Sequence, residues 1–537
     1  MIIDHRTPVF DRPWTAPTLA IVLVVLFYGA ALGYDLVWDD QAWLNEFHRY
    51  DVATLLRRNL SGHTLVSYYR PLVGVISTLQ LALSERAAFL HGLNLAIHAL
   101  NLLLIIALVK RVAAVSRPYL LPLGVAVLAI HPALVEPVVW VSGRFDLAYT
   151  TFLLLALLAA VAVRSRTLRA TTVASCFFLA LCCKESALVG LWVGPLLLTC
   201  IARHRGESGY HAASRRAIAH FAALAAGLVA YLIVRIAWLQ IPLFDTSAFY
   251  LDGHPEYGRR GLLVLRTLGT YLQMTVLPLW NLEPLHLTSS AGLTTAAYGA
   301  LGLAVVMLSL AAWRWPVLLP CTVWTAALLP AANFLPLRLD LVQDRYLYFP
   351  LFAASLTALS YPWPRRIDAR HGRWLWTIAV LWLALAAVTN LSISRLWRDG
   401  VSLFSWAVAA NPNSQLAIEN LALAFYAAGD YQQAIATEQR IAEPARSFQG
   451  RVVLARATRA TGDAAGAAAG FERALAGEMN DPVLQVSVTY ELALLQRALG
   501  DRESSARLAR AADALAARHQ VSTRLRNYYQ RKLGDEE

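Results

Sequence analysis

The chain has 537 residues, 57% of them hydrophobic, and a formal net charge of +12; its mean hydropathy is +0.47. Soluble domains hold roughly 45–50% apolar residues, so a wholly soluble chain is excluded. The arginines cluster in short loops between long apolar stretches, so the positive charge reads as a membrane-topology signal and not as affinity for nucleic acid.

The first apolar stretch, 17–34, follows a short charged N-terminus. It reads as a span and not a cleaved leader, because further spans follow and no small-residue cleavage site precedes Trp38. Spans are then predicted at 88–109, 119–137, 146–163, 170–185, 186–202, 217–238, 293–312, 316–335, 346–361 and 374–392, giving about eleven crossings of spanning length. Arginine-rich loops at 110–117, 164–169, 203–216, 314 and 365–373 are assigned to the cytoplasm with the N-terminus. Stretches 71–84 and 262–280 would reverse that assignment if they crossed, so they are expected to be interfacial or re-entrant. The outer loops are then 34–87, 131–146, 184–187, 239–292 and 336–346. The five cysteines (Cys176, Cys182, Cys183, Cys200 and Cys321) lie in apolar stretches with neither metal-ligand nor disulfide spacing.

The unusual polar residues gather in those outer loops. Asp39 and Asp40 form an adjacent acidic pair, either a proton acceptor or the cap of a helix starting at Gln41. Arg70, after Tyr68-Tyr69, is an outer arginine that needs an anion, a lipid phosphate or the headgroups of membrane lipids. His131, Glu136, Arg144 and Asp146 share the second loop, where Arg144 and Asp146 are spaced for a local salt bridge. Lys184-Glu185 ends a span as a charge pair at membrane depth. Arg345 is a second candidate phosphate ligand, flanked by Asp344, Tyr346 and Tyr348.

After Leu391 the chain becomes alanine-rich and amphipathic. Three segments align on Gly429-Asp430, Gly462-Asp463 and Gly500-Asp501, each with a leucine eight residues earlier (Leu421, Leu454, Leu492) and a small residue five later (Ala434, Ala467, Ser505). The first interval is near the tetratricopeptide period of about 34 residues. The fold class predicted is all-α: a polytopic membrane domain over 1–392, then a short repeat solenoid over 393–537 on the outer, periplasmic side of the inner membrane.

Taken in order, Val37-Trp38-Asp39-Asp40, Tyr69-Arg70-Pro71-Leu72, the His91-to-His98 run HGLNLAIH, His131-Pro132 through Glu136, Gly143-Arg144-Phe145-Asp146-Leu147, Cys183-Lys184-Glu185, Asp344 through Tyr348 and Trp397 with Leu403-Phe404 resemble the transmembrane and tetratricopeptide repeat-containing (TMTC) family. That family looks like the GT-C fold glycosyltransferases, and its animal members are implicated in protein O-mannosylation. The resemblance implies acidic residues at Asp39, Asp40 and Asp146, and basic residues, Arg70 and Arg345, gripping a polyprenyl phosphate. The tail is shorter than in many relatives, and the second loop reads Arg-Phe-Asp where relatives often have Arg-Ala-Asp.

The activity expected is inverting transfer of a sugar from a polyprenyl-phosphate carrier to a protein or glycan hydroxyl. Asp40 is the first choice of base. Arg70, Arg345 and Lys184 meet the departing phosphate, with Arg144, Glu185 and Tyr346 beside them. Asp146 orients a substrate or binds a divalent metal; no other cofactor is expected. The rival reading is a non-catalytic scaffold whose repeats recruit partners. A transporter would place its charges at mid-span.

Overall fold

The computed structural model describes residues 12–49, 52–57, 69–112, 119–205, 210–241, 260–284, 286–287, 293–332, 341–363, 369–477, 482–518 and 523–534. Tyr68, the arginine-loop residues 113–117, 206–209 and 365–368, and parts of the outer loops 34–87, 239–292 and 336–346 lie outside the described residues. The chain divides into two compact units, Met1–Arg398 and Asp399–Glu537.

The first unit contains α1 (Thr15–Tyr28), α2 (Asp40–Arg49), α3 (Val52–Arg57), α4 (Pro71–Leu83), α5 (Ala87–Val112), α6 (Leu120–Ile130), α7 (Val135–Val139), α8 (Arg144–Ala162), α9 (Arg166–Cys183), α10 (Gly190–His204), α11 (Tyr210–Leu232), α12 (Arg260–Val276), α13 (Leu293–Ala311), α14 (Leu319–Leu328), α15 (Tyr348–Ser360) and α16 (Ala369–Leu396). A two-residue antiparallel pairing of His286–Leu287 with Leu341–Val342 is the sole sheet among the described residues. Among those residues, seven helical stretches are long and apolar enough to cross a membrane: Thr15–Gly33, Ala87–Val112, Val141–Ala162, Arg166–Cys183, Glu185–His204, Ser214–Trp238 and Arg373–Leu396.

The stretch expected to span at 119–137 is two pieces, Leu120–Ile130 and Pro132–Val139, bent by 56°. Pro132 causes the break. It lacks an N–H and pushes the preceding residue out of the helical region, and His131 has ψ 123°. The stretches expected at 293–312, 316–335 and 346–361 fall on shorter apolar helices, Thr295–Ala311, Pro316–Ala331 and α15. α12 and α13 cross closely because both present glycine: a Cβ on Gly269 would collide with the Tyr298 carbonyl oxygen, and one on Gly302 with that of Leu265.

The irregular backbone that follows α7 is held from α5. His91, Asn94, His98 and Asn101 recur every three or four residues, so they line one helix face, and all four are buried. His91 Nδ1 lies 2.8 Å from the Val139 carbonyl oxygen. Asn94 donates to the carbonyls of Trp140 at 2.7 Å and Val141 at 3.2 Å, and Asn101 to that of Leu147 at 3.0 Å. His98 Nδ1 meets the Tyr348 hydroxyl at 2.8 Å. Irregular backbone in an apolar setting must find partners inside the protein, and this ridge supplies them. Every residue from His131 to Thr151 is buried, so the segment expected as an outer loop at 131–146 is packed inside the unit.

The second unit contains α17 (Gly400–Ala410), α18 (Gln415–Ala427), α19 (Tyr431–Glu438), α20 (Phe448–Ala460), α21 (Ala464–Leu475), α22 (Pro482–Ala498), α23 (Arg502–Arg518) and α24 (Thr523–Gly534). The three Gly-Asp pairs are the turns of three helix pairs. Gly429, Gly462 and Gly500 have φ of 82°, 95° and 91°, a left-handed conformation that glycine takes without strain. Each following aspartate caps the next helix: Asp430 accepts from Gln433 N, Asp463 from Gly466 N and Asp501 from Ser504 N. Val452, Ala455, Ala467, Phe471, Val488 and Leu492 form a core between α20, α21 and α22.

Glu438 is fully buried, and neither carboxylate oxygen has a hydrogen-bond partner among the described residues. Burial and the neighbouring Glu419 push its pKa up to about 7, against the pull of Arg446. A raised carboxyl pKa means the folded unit holds a proton that the unfolded chain has released, so stability falls as pH rises through about 7. Thermal unfolding of the excised 399–537 unit should show this decline towards about pH 8. Glu438→Gln should remain flat and exceed the parent there by about 1–3 kcal/mol. Parallel curves for the two proteins would mean that the carboxyl stays ionised.

Candidate active site

The acidic pair follows α1 and a short extended segment that turns at Trp38. Trp38 has φ +56°; for a bulky residue this left-handed conformation costs about 1–3 kcal/mol. The two carboxylates after the turn differ sharply. Asp40 is buried, 1% exposed. Its Oδ1 accepts from Ser142 N at 2.8 Å and Ser142 Oγ at 2.6 Å, and its Oδ2 from Val37 N at 3.2 Å. Burial outweighs these donors and pushes the Asp40 pKa up to about 6. Asp39 is exposed. Neighbouring protein atoms that displace water push its pKa up, and the charge of Arg345 pulls it back. Its backbone carbonyl accepts from Trp43 N at 3.0 Å, opening α2, which starts at Asp40 and not at Gln41.

Asp40, Ser77, Ser142, Arg144 and Phe145 help to enclose a cavity of about 10 Å³, room for about one water molecule. Arg144 does not pair with Asp146. Its guanidinium is turned into the interior, donating to Asn94 Oδ1 at 3.2 Å, Ser77 Oγ at 3.0 Å, Gln80 Oε1 at 2.7 Å and the Leu90 carbonyl at 2.9 Å. It ties α4, α5 and α8 together beneath the acidic pair, with four of its five N–H groups in these bonds.

Three cations from distant parts of the chain converge, each on its own carboxylate. Arg70 Nε lies 2.9 Å from Glu185 Oε2, and Glu185 also receives Tyr69 N at 3.3 Å and Arg235 Nη1 at 3.7 Å. Lys184 Nζ lies 2.7 Å from both Asp146 oxygens. Arg345 pairs with Glu136 through Nη1, and its backbone N donates to Glu136 Oε2 at 3.3 Å. Lys184 is within electrostatic reach of both Arg70 and Arg345. Tyr346 bridges two of the cations, its ring 5.1 Å from Lys184 Nζ and 5.6 Å from Arg345 Cζ. Lys184 and Glu185, adjacent in sequence, therefore serve different partners.

Comparison with protein-family models, curated proteins and solved structures found no match. The residues themselves define what the site can do. Asp146 spends both oxygens on Lys184, and among the described residues no group of three or more His, Cys, Asp or Glu side chains is placed to hold a metal ion. Of the two roles left open for Asp146, holding a divalent metal therefore finds no ligand group among the described residues. His131 is engaged with the Thr275 carbonyl at 3.0 Å and Ala133 N at 3.3 Å. Reading the sequence missed Trp38, Ser142 and Arg235 as parts of the site. Arg235 carried a signal, since an arginine near the end of an apolar helix demands an anion; Ser142 carried none.

Proposed function

We propose that the chain is a membrane glycosyltransferase of the GT-C type, moving a sugar from a polyprenyl phosphate to an acceptor hydroxyl on the outer face of the membrane. The observation that supports this most is the convergence of Arg70, Lys184 and Arg345, with the exposed carboxylate of Asp39 within electrostatic reach of Arg345. Asp39, and not the buried Asp40, is the base in this reading. It takes the proton of the acceptor hydroxyl as that oxygen bonds to the anomeric carbon. The bond from the anomeric carbon to the phosphate oxygen breaks, and its electron pair leaves with the phosphate. Attack opposite the phosphate inverts the anomeric centre. The three cations balance the charge gathering on the phosphate, and a guanidinium with five N–H groups is not exhausted by one carboxylate. Asp40, held by Ser142 and Val37, fixes the turn that carries Asp39.

The second unit fits a tetratricopeptide-type solenoid. Its role in this reading is to hold a protein or glycan acceptor. One observation favours the scaffold reading: all three cations already have carboxylate partners, as structural ion pairs would. Purified protein offered a panel of polyprenyl-phosphate-linked hexoses and hydroxyl acceptors separates the two. Transfer from one of these donors is expected. A protein that binds polyprenyl phosphate no better than an uncharged polyprenol, and transfers nothing, would leave the scaffold.

A further inference from the structure

Arg235 is the one charged residue in a π-helical turn, Ile233–Trp238, that continues α11. Such turns are rare and recur at functional sites. Its neighbours Ile233, Ile236 and Trp238 are exposed, whereas Arg235 is 2% exposed. A guanidinium turned inward from an apolar helix needs partners, and this one closes a circuit. Its Nη1 donates to the Tyr231 hydroxyl at 3.0 Å, and that hydroxyl donates to the Tyr69 carbonyl at 3.3 Å. Tyr69 N donates to Glu185 Oε1 at 3.3 Å, and Glu185 Oε1 lies 3.7 Å from Arg235 Nη1. Arg70, the next residue after Tyr69, takes the other oxygen of Glu185 at 2.9 Å. The backbone before Arg70 and the carboxylate in front of it are thus both tied to Arg235.

Charge decides what this circuit does. Lys184 with Asp146 and Arg345 with Glu136 each match one cation to one carboxylate. Arg70, Glu185 and Arg235 set two guanidiniums against one carboxylate, so the triad keeps one positive charge. Arg235 is buried, whereas the side chains of Arg70 and Glu185 are 12% and 29% exposed; the surplus meets a ligand at Arg70. We infer that Arg235 is a positioning residue for a phosphate headgroup: it fixes Tyr69 and draws on Glu185, so that Glu185 does not cancel the charge Arg70 offers to an anion. That the phosphate is a polyprenyl phosphate rests on the transferase reading above; the recognition chemistry is that of any phosphate monoester or diester.

Binding of plain polyprenyl phosphate, uncharged polyprenol and inorganic phosphate to full-length protein in detergent tests this. Arg235→Gln is expected to weaken polyprenyl phosphate about tenfold while polyprenol binds as in the parent. Glu185→Gln should have the opposite sign and bind polyprenyl phosphate at least as tightly as the parent. The double variant should return to within about threefold of the parent, because the carboxylate that Arg235 offsets is gone. Parent-like affinity in Arg235→Gln, an equal loss of polyprenol, or a double variant as weak as the single overturns the inference. If Arg235→Gln does not fold, Glu185→Gln decides: weaker phosphate binding overturns it, and equal or tighter binding supports it. The same pattern with inorganic phosphate assigns the site to phosphate at large; a pattern confined to polyprenyl phosphate assigns it to the lipid. A parent that binds polyprenyl phosphate through Arg235 but transfers from no donor sinks the transferase reading alone, whereas an active parent matched in affinity by Arg235→Gln sinks this inference alone.

Discussion

Asp39→Asn is expected to slow sugar transfer by about 10²–10⁴-fold, the usual worth of a general base, while donor binding stays within about twofold. The substitution keeps size and polarity and removes the one property a base needs. Asp39 is the carboxylate an acceptor can reach, because it is exposed while Asp40 spends its oxygens on Ser142 and Val37. Asp40→Asn tests the other side of the assignment. An amide oxygen still accepts from Ser142, so the turn should persist and transfer should fall far less than in Asp39→Asn. Initial rates with saturating donor give the comparison. A severe Asp40→Asn beside a mild Asp39→Asn returns the base to Asp40; parent rates in both leave the pair as a structural turn, and the scaffold reading then leads.

Lys184→Met should destabilise the membrane unit by about 3–5 kcal/mol, because it strands a buried carboxylate whose only counter-charge at contact distance among the described residues is removed. Asp146 is 1% exposed, and both of its oxygens lie 2.7 Å from Lys184 Nζ. The double variant Lys184→Met with Asp146→Asn should recover most of that loss, since no unpaired charge remains, and the coupling follows from a double-mutant cycle. Thermal unfolding in detergent reads the stability, and binding of plain polyprenyl phosphate reads the function. If the double variant regains the parent Tm but binds the lipid phosphate poorly, Lys184 serves the donor as well as the fold. If Lys184→Met melts with the parent, the pair contributes no net stability.

Hydropathy located the long helices because each is a single apolar run; α5 and α16 are examples. It gave no sign of the bend where proline interrupts a run, as at Pro132, since apolar content alone does not register one. The Gly-Asp pairs marked turns that the second unit does place between helices, because that chemistry is local: a left-handed glycine followed by a capping aspartate. The pairing of charges was not local. Sequence neighbours suggested Arg144 with Asp146 and Lys184 with Glu185. The actual partners are 115 residues apart for Arg70 and Glu185, 38 for Lys184 and Asp146, and 209 for Arg345 and Glu136. The choice between Asp39 and Asp40 turns on Ser142, 102 residues from Asp40, and no local pattern in the chain announces that contact.

The polar ridge of α5 also sets an order of events during synthesis. α5 leaves the ribosome before the bend at 131–147 exists, so His91, Asn94 and Asn101 enter the membrane with the carbonyls they will bind still unmade. His98 waits longer still, for Tyr348, 250 residues downstream. α5 is itself apolar enough to cross a membrane; what waits for the later segments is the pairing of these four side chains, each costly to leave unpaired in lipid.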